Sequence, residues 1–285
     1  MAKFEATRLY KIGAAGMSVA VIILIMTLWY LSVDRKASSH VNTIEIEISD
    51  QSANTLINKA ELKRRILEIS GLGKNGLRVE KINLKKIEQR LKEDQRIKEV
   101  NVYLDNQNRL RVLIEPRSPV IKITDLHQNQ YYLDETGAQI PVYRGVSSRV
   151  MVATGKISAY DSSFIRKDTS STLRKTFELA LEIRKDEFLL ALVEQIHVEE
   201  NGDLVIVPKI GREKLIFGDL SQVNEKLENL KIFYRDGLPR VGWNQFATLN
   251  LKFTNQVILG KKSEETIPEL AGQLQDKENN ITINN

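Results

Sequence analysis

The chain of 285 residues has no cysteine. That absence excludes a disulfide framework, thiolate metal sites, iron–sulfur clusters and a thiol nucleophile. It leaves the compartment open, since a cysteine-free chain is stable in reducing and oxidising surroundings alike. Histidine is scarce. His40, His127 and His197 are spread along the chain without a second histidine three or four residues away, so no zinc cluster is written into the spacing. Aromatic residues make up only 6%. The motifs G-x-S-x-G, H-E-x-x-H and the P-loop are missing, and the carboxylate pairs Glu199/Glu200 and Glu264/Glu265 fall in a turn and in the terminal tail. No catalytic, metal or cofactor site is visible, so the sequence reads as non-enzymatic, without a small-molecule substrate.

Charge is what this chain has in an informative pattern. The formal net charge is +5. Residues 1–11 contribute +2, residues 12–33 nothing, residues 34–115 +4, residues 116–260 +1 and residues 261–285 −2. The uncharged stretch from Ile12 to Val33 is 22 residues long and rich in Ile, Leu, Val and Met. As a helix it would measure about 33 Å, enough to cross a bilayer core. Trp29 and Tyr30 sit near its far end, where aromatic rings favour the headgroup zone. A cleaved signal peptide would have a shorter apolar region and a small-residue cleavage site, whereas Asp34, Arg35 and Lys36 follow here directly. The expectation is one retained membrane helix, N-terminus inside, with the bulk of the chain outside.

Beyond it, Ile44, Ile46 and Ile48 alternate with polar residues, which predicts a strand. Asn58 and Glu61 form a capping-box-like pair before a helix carrying Leu62, Ile66 and Ile69 on one face, with Gly71 as its C-cap. A second helix after Asn83 presents Leu84, Ile87 and Leu91. Val100, Val102 and Leu104, a turn at Asp105–Asn108, and Leu110, Val112 and Ile114 predict a hairpin. The order strand, helix, helix, strand, strand defines a small α+β module over residues 41–116. Its helices carry many Lys and Arg residues, Arg96 among them, but acids are interleaved and stacking aromatics are missing. A solvated face is the reading, and nucleic acid is not an expected partner. Gly71–Gly76 matches G-x-G-x-x-G literally, yet a helix precedes it where a dinucleotide site needs a strand.

Residues 117–260 read as a β-rich domain with flanking helices. Strands are predicted at Val120–Ile123, Tyr131–Leu133 and Val150–Val152, then a helix from Ser171 to Asp186. A hairpin follows at Gln195–Val207 around Asn201-Gly202, with a strand at Lys214–Phe217. Leu220, Val223, Leu227, Leu230 and Phe233 predict a helix capped near Gly237. The last strands are Thr248–Phe253 and Gln256–Leu259, and residues 261–285 have the composition of a disordered tail. Terminal strands tend to lie at sheet edges, where unpaired backbone groups accept a partner's strand.

Taken together, the module order resembles the bacterial cell-division family FtsQ/DivIB. The first module is similar to a POTRA domain through Glu61–Gly71, Leu84–Leu91, Ile97–Val102 and Arg109–Pro116. The second is similar to the family's β domain through Leu133–Gly137, the Gly202 hairpin, Ile216-Phe217-Gly218 and Ala247–Ile258. The resemblance implies a scaffold at the division septum of the cytoplasmic (inner) membrane, joined to FtsB-like and FtsL-like proteins and to septal peptidoglycan synthesis. It implies partner contacts at Leu249, Leu251, Lys252, Phe253, Thr254, Gln256, Val257 and Ile258. Many relatives have Asp-x-Arg-Tyr where this chain has Asn250, Leu251, Lys252 and Phe253, so the acid is missing here. The competing expectation is a POTRA-type envelope-assembly or polypeptide-binding chaperone factor, which commonly carries a membrane barrel. The repeated alternating segments of a barrel are not present after Pro116.

Overall fold

The computed structural model describes residues 17, 20–29, 40–41, 43–49, 56–71, 76–167, 170–243, 245–253 and 256–261. Residues 20–29 are helical. Among the described residues no helix is long and apolar enough to cross a membrane. The remainder of the span expected over residues 12–33, Met17 apart, lies outside the described residues, as does the expected tail beyond Lys261. The rest divides into two units, Met1–Ser118 with Ile140–Arg149, and Pro119–Gln139 with Val150–Asn285.

In the first unit, β2 (Ile44–Ile48) runs parallel to β5 (Leu110–Pro116), and β4 (Ile97–Leu104) pairs antiparallel with β5 on its other side. Two helices, α1 (Lys59–Ser70) and α2 (Leu84–Lys92), supply Leu62, Ile66, Ile87 and Leu91 to a core closed by Ile46, Val100, Val102, Leu110, Val112 and Ile114. Each such Leu or Ile, taken fully out of water, stabilises the unit by about 1.5–3 kcal/mol. The helix starts are set by side chains. Asn58 Oδ1 accepts from the Ala60 N–H at 2.8 Å, and Asn83 Oδ1 from the Lys86 N–H at 2.9 Å. Gly71 ends α1 in the left-handed region at φ 68°. Glu61, expected to complete a capping box, instead turns its carboxylate to Arg96. The hairpin between β4 and β5 is held by Asp105, which accepts from the Gln107 and Arg109 N–H groups. A two-residue ladder, β1 (His40–Val41) with β3 (Leu77–Arg78), was not foreseen, and it buries Val41 completely.

In the second unit the sheet has nine strands among the described residues, in the order β14-β13-β12-β11-β10-β9-β6-β7-β8. In chain order these are β6 (Pro119–Thr124), β7 (Gln130–Asp134), β8 (Gln139–Pro141), β9 (Met151–Gly155), β10 (Val193–Val198), β11 (Leu204–Pro208), β12 (Lys214–Gly218), β13 (Phe246–Asn250) and β14 (Ile258–Lys261). Of the parallel pairs, β9/β10 and β12/β13 are each bridged by a helical crossover, whereas β6/β9 is joined through β7 and β8. The first crossover holds α3 (Phe164–Lys167), α4 (Thr172–Arg184) and α5 (Glu187–Leu192). The second holds α6 (Val223–Ile232) and α7 (Leu238–Val241). Leu173, Phe177, Leu179, Ala180 and Ile183 of α4 are buried in the core, while Leu181, whose spacing also points inward, is only partly buried against it.

Two helix boundaries differ from the sequence reading. The helix expected to run through Asp186 stops at Arg184, and Asp186 caps α5 by accepting from the Leu189 N–H at 3.1 Å. Gly237 does not end α6. The helix widens into a π turn over Phe233–Gly237, continues through α7, and ends at Gly242 with φ 88°. Gly237 keeps a right-handed backbone. Its place is explained by packing, because a Cβ there would sit 2.9 Å from the Phe233 ring.

Candidate functional site

The sequence offers both last strands, Thr248–Phe253 and Gln256–Leu259, as candidate edge strands. The structure separates the two. β13 has neighbours on both sides, β12 in parallel register (Leu215 opposite Leu249) and β14 in antiparallel register (Leu249 opposite Leu259). Among the described residues β14 and β8 are the two end strands of this sheet, so of the last two strands β14 is the one with a free edge. β13 ends at Asn250, so Leu251, Lys252 and Phe253 lie beyond the strand. The pleat explains the difficulty. A strand with one buried face alternates in the same way whether it is central or at an edge.

The predicted contact residues separate by location. Leu249 is 0% and Leu251 1% exposed, so both side chains belong to the core. The Leu251 N–H donates to the Ile216 carbonyl at 2.8 Å. Lys252 folds back onto the β10–β11 hairpin, its ammonium 2.8 Å from Asp203 Oδ2. That contact holds the lysine pKa above its ordinary value. The Lys252 N–H donates to Asn250 Oδ1 at 2.9 Å, so Asn250 is used inside the turn. Phe253 is 47% and Ile258 43% exposed, and both present apolar surface to solvent. Gln256 is exposed and Val257 half-buried, while Thr254 lies outside the described residues. Among the described residues β14 is a short end strand with an open backbone edge and exposed Ile258 at its start, a geometry suited to adding a strand.

Elsewhere, Trp29 is helical and exposed, and Tyr30 lies outside the described residues. His40 lies in β1 and His127 in a turn, and His197 Nδ1 meets Thr154 Oγ1 at 3.0 Å. Among the described residues no group of three or more His, Asp and Glu side chains could hold a metal ion. Gly71, the first glycine of the apparent G-x-G-x-x-G, closes a helix, and residues 72–75 lie outside the described residues.

Sequence reasoning missed one polar cluster. Arg96, read as part of a solvated basic face, is 3% exposed and bonds Asp94 and Glu61. Arg65 Nη1 reaches the same Asp94 carboxylate at 2.7 Å. Burial raises the Asp94 pKa, but the Arg96 side chain and backbone and the charges of Arg96 and Arg65 outweigh it and hold the carboxyl below its ordinary range. Asp94 lies two residues past the end of α2 and Arg96 just before β4, but Glu61 is 35 residues away in sequence, so no local pattern marks the cluster.

Strand-helix-helix-strand-strand followed by a mixed sheet crossed by helices defines the class, a POTRA-type module joined to a second α+β domain. Residues 39–115 match the POTRA-like domain family, and residues 118–259 match the family described as FtsQ/DivIB, C-terminal related. The chain belongs to the FtsQ/DivIB family, with its POTRA and C-terminal domains, and is a division-related protein. No curated protein matches the chain in sequence.

Proposed function

We propose that this protein is a membrane-anchored, non-catalytic scaffold of the cell-division machinery. In this reading residues 1–11 stay in the cytoplasm and residues 12–33 cross the inner membrane once. Residues 41–116 and 117–260 act outside as recruiting and partner-binding domains. The observation that carries the proposal is the free edge of β14 at the end of a domain of the FtsQ/DivIB C-terminal related family. Such an edge takes up an extended segment through main-chain hydrogen bonds. The segment is proposed to come from an FtsB-like protein, with an FtsL-like protein in the same assembly and septal peptidoglycan synthesis under their control. The apolar side chains of residues 21–26, 28 and 29 are all exposed, which suits a helix facing lipid. The role needs no cofactor.

Depletion of the protein followed by microscopy tests the role, with filaments lacking septa expected. Normal septation would overturn it. Co-purification of the full chain with the FtsB-like and FtsL-like proteins tests the partners.

A further inference from the structure

The helix side of the β14 edge is not closed. Between α6, the π turn and α7 on one side and the residues entering β14 on the other runs a groove of about 310 Å³. Ile232, Phe233 and Val257 give it apolar walls, and Asp236, Arg240 and Gln256 provide polar ones. Phe233 is fixed against Phe246 with ring centroids 5.5 Å apart, so this wall is rigid. Ile232, at the end of α6, is 42% exposed although it is a large aliphatic residue. The volume is at the small end of ligand pockets, enough for one or two side chains.

The pleat of β14 decides what could reach the groove. Val257 and Leu259 pack against the core, whereas Ile258 faces the other way. Successive side chains of a strand alternate, and a strand laid on the free edge copies that alternation. Its residues beside Val257 and Leu259 must point to the helix side, where the groove lies. The charges narrow the chemistry further. Asp236 is engaged by Arg235, with Nη2 to Oδ2 at 3.0 Å, and feels the charge of Arg240 as well, so two guanidinium groups stand against one carboxylate here and Arg240, which lines the groove, can face an incoming acid.

We propose that the groove selects the partner: the segment that pairs with β14 carries an apolar side chain that seats against Ile232, Phe233 and Val257, and next to it an acidic residue that meets Arg240. This inference rests on the edge-pairing reading above and adds the sequence chemistry that the edge accepts. Main-chain pairing alone would take almost any extended segment, so discrimination has to come from side-chain pockets.

The test measures affinity of the full chain, in detergent, for the purified FtsB-like protein. Ile232→Glu and Arg240→Glu change exposed groups and should fold normally, which thermal melting checks. Ile258→Pro interrupts the edge strand itself, and Ile258→Lys serves if the proline variant melts early. Ile232→Glu is expected to weaken binding about tenfold or more, as loss of an anchor pocket does. Arg240→Glu should weaken it less, with recovery when an acidic residue of the partner segment is changed to Lys. If the strand variant weakens binding while Ile232→Glu and Arg240→Glu bind as wild type, the groove proposal is overturned and the edge reading stands. If the strand variants bind normally, the edge reading fails and the groove proposal falls with it, whatever the groove variants do.

Discussion

Asp94 and Arg96, two residues apart, hold each other in a double contact: Arg96 Nε donates to Asp94 Oδ1 at 3.0 Å and Nη2 to Oδ2 at 2.8 Å. Both side chains are almost fully buried, 2% exposed for Asp94 and 4% for Arg96. The pair ties the end of α2 to the start of β4, and through Glu61 and Arg65 it also ties both to α1. Removing one partner of a buried pair leaves a charge without compensation. Asp94→Ala should therefore destabilise the first unit by about 3–5 kcal/mol. The double change Asp94→Leu with Arg96→Met should lie much closer to wild type, because no orphan charge remains. Urea unfolding followed by hydrogen exchange in α2 and β4 measures both. A single variant as stable as wild type would mean that the pair is not desolvated.

Acid sensitivity should be traceable to the loop before α6. The Ser221 hydroxyl, and after it the Lys226 ammonium, hold the Asp219 pKa down at about 2, against an ordinary 3.8. Lys226 Nζ is 3.0 Å from Asp219 Oδ1 and 3.0 Å from the Asp219 carbonyl oxygen. A carboxylate depressed in the folded state contributes stability above its unfolded pKa and loses it as pH falls through the folded one. The contribution is thus complete at neutral pH and disappears between about pH 4 and 2. Asp219→Asn should melt below wild type at pH 7, and the gap should close as the pH falls through that window. Melting temperatures taken at half-unit steps check this; a gap that widens in acid would reverse the assignment.

Two glycines in the left-handed region should respond differently to alanine. Gly155, at φ 96°, ends β9, and a Cβ there would run into the Val198 carbonyl oxygen of the neighbouring strand. Gly202, at φ 84°, sits at the tip of the β10–β11 hairpin with open space around it. Gly202→Ala bears only backbone strain, about 1–2 kcal/mol. Gly155→Ala bears the same strain plus a backbone collision, and should cost about 3 kcal/mol or more. Thermal unfolding of the two variants side by side provides the comparison. Equal losses would show that β9 and β10 can separate to make room.

The order of elements in the first unit was legible because its signals are local. Alternation at Ile44–Ile48 and Leu110–Ile114, apolar stripes at Leu62/Ile66 and Ile87/Leu91, and caps at Asn58 and Asn83 each act within a few residues. What escaped was non-local. That β13 is interior depends on its pairing with both β12 and β14. That Arg96 is buried depends on Glu61, 35 residues away. α5 was hidden because its six residues include exposed Phe188 and Leu190, which give no clean helical stripe. The two last strands were legible as a pair, but which of them lies at the end of the sheet order was not.

The interior position of β13 separates two substitutions that the sequence alone treats as equivalent. Proline at Leu251 and Lys at Phe253 would both be chosen to disturb an exposed pairing strand. In the structure Leu251 is 1% exposed and its N–H donates to the Ile216 carbonyl, so proline removes a hydrogen bond and a core side chain together. Leu251→Pro should destabilise the second unit by about 3 kcal/mol or more, with or without a partner present. Phe253 is 47% exposed and outside the strand, so Phe253→Lys should change stability by no more than about 0.5 kcal/mol. If Phe253 belongs to the proposed partner surface, the effect should fall on affinity for the proposed FtsB-like partner, through charge introduced into exposed apolar surface. Melting and binding measured on both variants decide the matter. Leu251→Pro melting as wild type would contradict the contact with Ile216, and Phe253→Lys binding at full affinity would remove Phe253 from the partner surface.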